Sequence, residues 1–207
     1  MSRNILKYLA AAGLVVSLGT TAAHADMQSY SKTGDWDSMA GINNAGHQQC
    51  ATGRVGTLQL DNTVGAVMLK YDASAPNAVL LHVTKKTWDI PEGTQMQVKL
   101  QIDNVSRLYN AHGEGDTIEI ILGANEKDPT TGEPAIVLLA NLMKSGKQLY
   151  VSFLSGNETK WITPLTGANV EISNFFKCVQ YVTNGKPAPQ ASQPYGTVRK
   201  KSATQPF

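Results

Sequence analysis

The 207 residues carry a formal net charge of +2, with 42% hydrophobic and 16% charged side chains. That balance excludes a strongly basic surface, and no nucleic-acid partner is expected. Two cysteines cannot build a thiolate cluster, and beyond the first residues no segment is apolar enough to span a bilayer.

The chain begins MSRNILKYLAAAGLVVSLGTTAAHAD, with Arg3 and Lys7 before an apolar stretch from Tyr8 to Leu18 and then Ala23-His24-Ala25. That order predicts a secretory signal peptide over residues 1–25, cleaved between Ala25 and Asp26. No cysteine follows the apolar run, which argues against a lipid anchor. The expected location is the periplasm, with outer-membrane association or release from the cell as alternatives. An exported chain meets an oxidising compartment, where paired thiols become disulfides. Cys50 and Cys178 lack C-x-x-C spacing, and His47 is the one metal-ligand candidate close to either. A structural Cys50–Cys178 bridge is therefore expected ahead of a metal, nucleophile or free-thiol role.

In chain order, GDWDSMAG (34–41), HQQCATGRV (47–55), TLQLDN (57–62) and GAVMLKY (65–71) read as strands, as does the more apolar AVLLHVT (78–84). In QMQVKLQI (95–102), Met96, Val98, Leu100 and Ile102 alternate with Gln95, Gln97, Lys99 and Gln101, giving one dry and one wet face. TIEIIL (117–122) and QLYVSFL (148–154) are apolar enough for core strands, and SGN joins the latter to KWITPL (160–165) as a hairpin. Two helices are predicted. EPAIVLLANLMKSG puts Pro134 in the first turn, Ile136, Leu139, Ala140 and Met143 on one face and Gly146 at the end. The second runs from about Gly167 to Tyr181, with Val170, Phe175 and Cys178 near one face and Glu171 in its first turn.

The pattern predicts a β-rich α+β fold, an antiparallel β-sandwich or barrel-like sheet with two helices, the second C-terminal. Residues 26–182 suit a single domain. From Thr183 onward four prolines and no apolar periodicity predict a disordered tail over 183–207. All 16 acids precede it, so Lys186, Arg199, Lys200 and Lys201 make it basic. It is either a solvated tail or a weak electrostatic hook for an anionic membrane through Arg199, Lys200 and Lys201.

Chemistry-bearing motifs are sparse. There is no H-E-x-x-H, G-x-S-x-G or P-loop, so no catalytic, cofactor-binding or metal-ligating residue is assigned and no cofactor is expected. His82 lies in an apolar strand, as a half-buried satisfied side chain or as a base. His112 lies in AHGEGD with Glu114 and Asp116, as part of a flexible glycine turn or of a metal site. NEKDPTTGE (125–133) lacks the ligand spacing of a calcium loop and reads as a solvated loop. Trp36, Trp88 and Trp161, with Tyr109, are either core plugs or a ring platform for glycan or peptide.

GDW at 34–36, a cysteine about a dozen residues later, TWDIPEG at 87–93, a helix before a hairpin bearing Trp161, and PLTGANVEISNFFKC at 164–178 follow one another in a telling order. In this the chain resembles the invasion-associated locus B-like family of small exported alphaproteobacterial proteins, or a related branch. The resemblance implies a compact β-rich periplasmic or outer-membrane-associated domain without catalytic residues, in some members tied to host-cell entry. The expected function is thus a non-enzymatic exported binding or interaction domain, its partner an envelope or host protein or glycan. The alternative is a small envelope-acting hydrolase or isomerase.

Overall fold

A computed structural model describes residues 27–57, 64–123 and 125–190. The signal peptide expected over residues 1–25, with Ala25 and Asp26, positions 58–62 of the strand expected from 57 to 62, and the expected tail beyond Gln190 with Arg199, Lys200 and Lys201 lie outside the described residues.

Ten strands and two helices follow in order: β1 (Gln28–Thr33), β2 (Trp36–Ile42), β3 (Gln48–Thr57), β4 (Val64–Asp72), β5 (Ala78–Lys85), β6 (Ile90–Ile102), β7 (Val105–Gly115), β8 (Thr117–Gly123), α1 (Ala135–Ser145), β9 (Gln148–Phe153), β10 (Trp161–Pro164) and α2 (Ala168–Thr183). The strands form one sheet in the order β1-β2-β3-β4-β5-β8-β7-β6-β9-β10. Its pairs are antiparallel. The fold is therefore β-rich α+β, with a single curled sheet in place of the two sheets of a sandwich.

The alternation read in the sequence sets the two faces. On β4 and β5 every second residue is buried, and the register aligns these residues across strands. Ser38 faces Thr52, Thr52 faces Leu69, Leu69 faces Leu81, and Leu81 faces Ile120. On the other arm Leu100 faces Val151, which faces Trp161. Each fully buried leucine or isoleucine in this row contributes about 1.5–3 kcal/mol relative to exposure. Curling brings β10 back beside β3 and β4, where Trp161, Ile162 and Thr163 line a small cleft with Arg54, Gly56 and Gly65. The indole N–H of Trp36 donates to Pro164 O at 3.0 Å across the same closure. No strand ladder joins β1 to β10, so the barrel stays open.

The helices cover the inner face. α1 carries the chain from β8 to β9 and buries Ile136, Leu139, Ala140 and Met143 as its pattern predicts. α2 packs on β1, β2, β3 and α1, and Cys178 on α2 is bonded to Cys50 on β3, with Cα atoms 6.0 Å apart. The expected face of α2 needs one correction. Val170 points outward, and Glu171 is the residue fully buried, in line with Ala168, Ile172, Phe175, Cys178 and Val182. Helical periodicity places 168, 171, 175 and 178 on one stripe and 170 off it. Ser31 Oγ and Thr33 Oγ1 donate to Glu171 Oε1 at 3.0 and 2.7 Å, while its buried Oε2 makes no hydrogen bond.

Gly167 caps α2 at φ +93°, and a Cβ there would lie 2.3 Å from Thr33 O. Gly167→Ala combines a left-handed backbone with that clash, so a loss of about 1–2 kcal/mol or more is expected in urea unfolding. An unchanged midpoint would mean that the turn relaxes freely.

Candidate functional site

His82, on β5, and His112, on β7, meet through a residue the sequence did not single out. Pairing of β5 with β8 sets His82 opposite Glu119, and pairing of β8 with β7 sets Glu119 opposite His112. The three stand side by side on the outer face. His82 Nε2 lies 3.0 Å from Glu119 Oε2. That nitrogen is buried and makes no aligned hydrogen bond. Burial pulls the His82 imidazole below its ordinary value; Glu119 opposes this without cancelling it, and Lys70 adds to the lowering. Burial thus favours the neutral imidazole.

These residues wall a groove of about 640 Å³, with Glu92 and Gly93 from the bulged start of β6 and Glu114, Asp116 and Thr117 from the β7–β8 turn. His112 also borders a cleft of about 360 Å³ with Gln95, Gln97, Asn110 and Leu154. A third cleft, of about 480 Å³, lies between Arg107–Asn110 of β7, Ile121 of β8 and the loop from Glu126 to Pro129. β7 thus runs through three adjoining depressions. This corrects the flexible turn expected at AHGEGD: residues 112–115 are strand, and the turn is confined to Asp116.

Among the described residues no group of three His, Cys, Asp or Glu is arranged to hold a metal ion. His112, Glu114 and Asp116 line the groove without converging. His47 has no thiolate partner, since Cys50 is in the disulfide. The loop at 125–133 is tethered: the Arg107 guanidinium donates to both oxygens of the buried Asp128, and Thr130 and Thr131 backbone N–H groups donate to Asp128 Oδ1.

The tryptophans are core. Trp36 and Trp161 are buried, and Trp88 is half-buried. Trp88 stacks on Trp161 with ring centroids 5.1 Å apart, and Phe153 meets both edge-on. Glu158 ties this cluster together. Its Oε2 accepts from Trp88 Nε1 at 2.9 Å and its Oε1 from Trp161 Nε1 at 3.0 Å, while Lys85 Nζ donates to both oxygens. Tyr109 is half-buried and borders the 480 Å³ cleft.

Three carboxylates are depressed. Burial raises Asp72, but donors from Ser74, Gln49 and Asn43 outweigh it and bring the group to about 2. The hydrogen bond from Arg107, aided by Thr131 and Thr130, holds Asp128 at about 2. Burial likewise raises Glu158, and its bonds to Trp161, Trp88 and Lys85 leave it below its ordinary value. A depressed folded-state value stabilises above the ordinary carboxylate range, and this contribution is lost as pH falls through the folded value. Melting temperature should therefore fall steadily from about pH 4 to about pH 2. A flat profile over that window would show that these bonds do not survive in solution.

No profile of a known family matches the chain, and no curated protein or solved structure matches it significantly.

Proposed function

We infer that the chain is a non-enzymatic exported domain that binds an envelope or host component on the outer face of its sheet. The observation that carries this reading is the run of adjoining clefts along β7, while core side chains and helices fill the inner face. A partner is met outside the barrel. The order of GDW, TWDIPEG and PLTGANVEISNFFKC supports a place in the invasion-associated locus B-like family or a related branch. Export to the periplasm is supported by the N-terminal pattern and by the bridge, which persists in oxidising compartments. No described helix is long and apolar enough to cross a membrane.

One observation favours an envelope-acting hydrolase or isomerase, namely His82 at 3.0 Å from Glu119 beside a groove. Against it, the nitrogen facing the carboxylate is buried, and a general base must reach the proton it takes. A photoreactive residue at His112, compared with one at the exposed Lys177 on α2, tests the binding reading in intact cells. A discrete adduct is expected from position 112 and none from 177. Equal labelling from both positions, or none from 112, contradicts it.

A further inference from the structure

The β7–β8 ladder is unusually short. It holds His112–Glu119, Gly113–Ile118 and Glu114–Thr117 and then stops. β7 continues back to Val105 and β8 on to Gly123 without cross-strand partners for each other, although both remain fully paired on their far sides. The sheet is split at this point, and the 480 Å³ cleft lies in the split.

The direction of the backbone groups follows from neighbouring bonds. Lys85 N–H donates to Asp116 O at 2.9 Å, which makes Lys85–Asp116 a bonded pair of β5 and β8. Bonded and non-bonded pairs alternate along an antiparallel ladder, so Ile118 and Ile120 bond to β5 while Thr117, Glu119 and Ile121 turn their N–H and C=O toward β7. On β6, Leu154 N–H donates to Gln97 O at 3.1 Å, so Gln97 bonds away from β7. Its partner Asn110, and with it Leu108 and His112, then directs its backbone groups toward β8. His112 and Glu119 satisfy each other. Leu108, Asn110 and Ile121 face the gap with no ladder partner.

We propose that this split is a strand-addition site that takes an extended peptide between β7 and β8, with an apolar residue beside Leu108 and Ile121 and a lysine or arginine at the end nearest Glu119. An extended main chain is the ligand whose donors and acceptors match two facing strand edges at the spacing of a sheet. Leu108 and Ile121 are 50% and 43% exposed on the outer face, one on each lip, and they offer apolar contact to alternate side chains of the incoming strand. At the closed end Glu92, Glu114, Asp116 and Glu119 gather beside the histidines, so the field there favours a cationic residue. The loop tethered by Arg107 and Asp128 forms the third wall. This inference rests on the proposed binding function and narrows it to one place and one class of partner.

Hydrogen exchange on the free protein tests the premise first. The amides of Leu108, Asn110 and Ile121 should exchange rapidly, while those of Arg107, Tyr109 and Ile120, which bond into β6 and β5, are protected. Equal protection of both sets overturns the proposal, because the split would already be closed. Protection of the three amides that grows with protein concentration overturns it too, since the occupant would then be a second copy. A displayed library of decapeptides, apolar at alternate positions and ending in lysine or arginine, is then selected on the oxidised domain. Enriched peptides should protect the same three amides and bind at least tenfold more weakly to Leu108→Lys and Ile121→Lys, which alter exposed side chains and should melt as the wild type does. Peptides that bind both variants undiminished, or no enrichment over the double variant, count against the site. Discrete adducts at position 112 combined with protected split amides would leave the binding function standing and this inference refuted.

Discussion

Replacing Cys50 and Cys178 by serine should lower the melting temperature by about 5–15 °C. The bridge closes a loop of 128 residues between β3 and α2, and removing such a bridge typically costs about 2–5 kcal/mol. For a domain of this size each kcal/mol moves the midpoint by about 2–4 °C. The loss should not abolish folding. α2 retains Phe175, Ile172 and Ala168 in the core, and its N-terminal turn keeps the bonds from Ser31, Thr33 and Ser38. Calorimetry of the double variant, and of the wild type with and without reductant, gives the number. A shift below about 2 °C would mean that packing alone seats the helix.

Glu158→Ala should cost roughly 3 kcal/mol, the low end for removing one partner of a buried charged network, because Glu158 itself is partly exposed. The side chain receives both indole N–H bonds and both bonds from the buried Lys85. Losing it removes four interactions and the link that holds the loop before β10 over the aromatic cluster. Denaturant unfolding reads the stability, and tryptophan emission reads the environment, with a red shift expected as Trp88 and Trp161 gain water. Glu158→Gln, which keeps the shape but not the charge, should fall between the two. Wild-type stability and emission in the alanine variant would show that the stacked rings hold without their carboxylate.

The strands whose apolar residues alternate were legible in the sequence. β4, β5, β8 and the second half of β6 put Val67 and Leu69, Val79, Leu81 and Val83, Ile118, Ile120 and Leu122, and Val98, Leu100 and Ile102 at every second position, and the sheet uses that face. β1 and β7 were not. QSYSKT of β1 is polar because it is held to α2 by hydrogen bonds, with Tyr30 donating to Asn174 O and Ser31 and Thr33 to Glu171, and carries little apolar burial. β7 has Arg107 and Gly113 at inward positions, where a strand pattern calls for apolar residues; Arg107 is committed to Asp128, and a Cβ at Gly113 would meet Ile90 and Met96. His82 and His112 were visible as residues but not as neighbours. What joins them is the register of β8 between β5 and β7, a non-local fact, and the polar Glu119 inside TIEIIL was the one signal available. Glu158 and Asp128 were hidden in loops whose composition reads as solvated, because a carboxylate's partners cannot be inferred from its immediate neighbours.

The Cys50–Cys178 bond is the one covalent tie between α2 and β3 on the inner face, and the proposed binding face is the outer side of β7. Alkylating the protein as recovered from its native cells, unfolded but not reduced, measures that tie directly. The account predicts no modified cysteine before reduction and modification of both Cys50 and Cys178 after it. Both cysteines modified before reduction would contradict it.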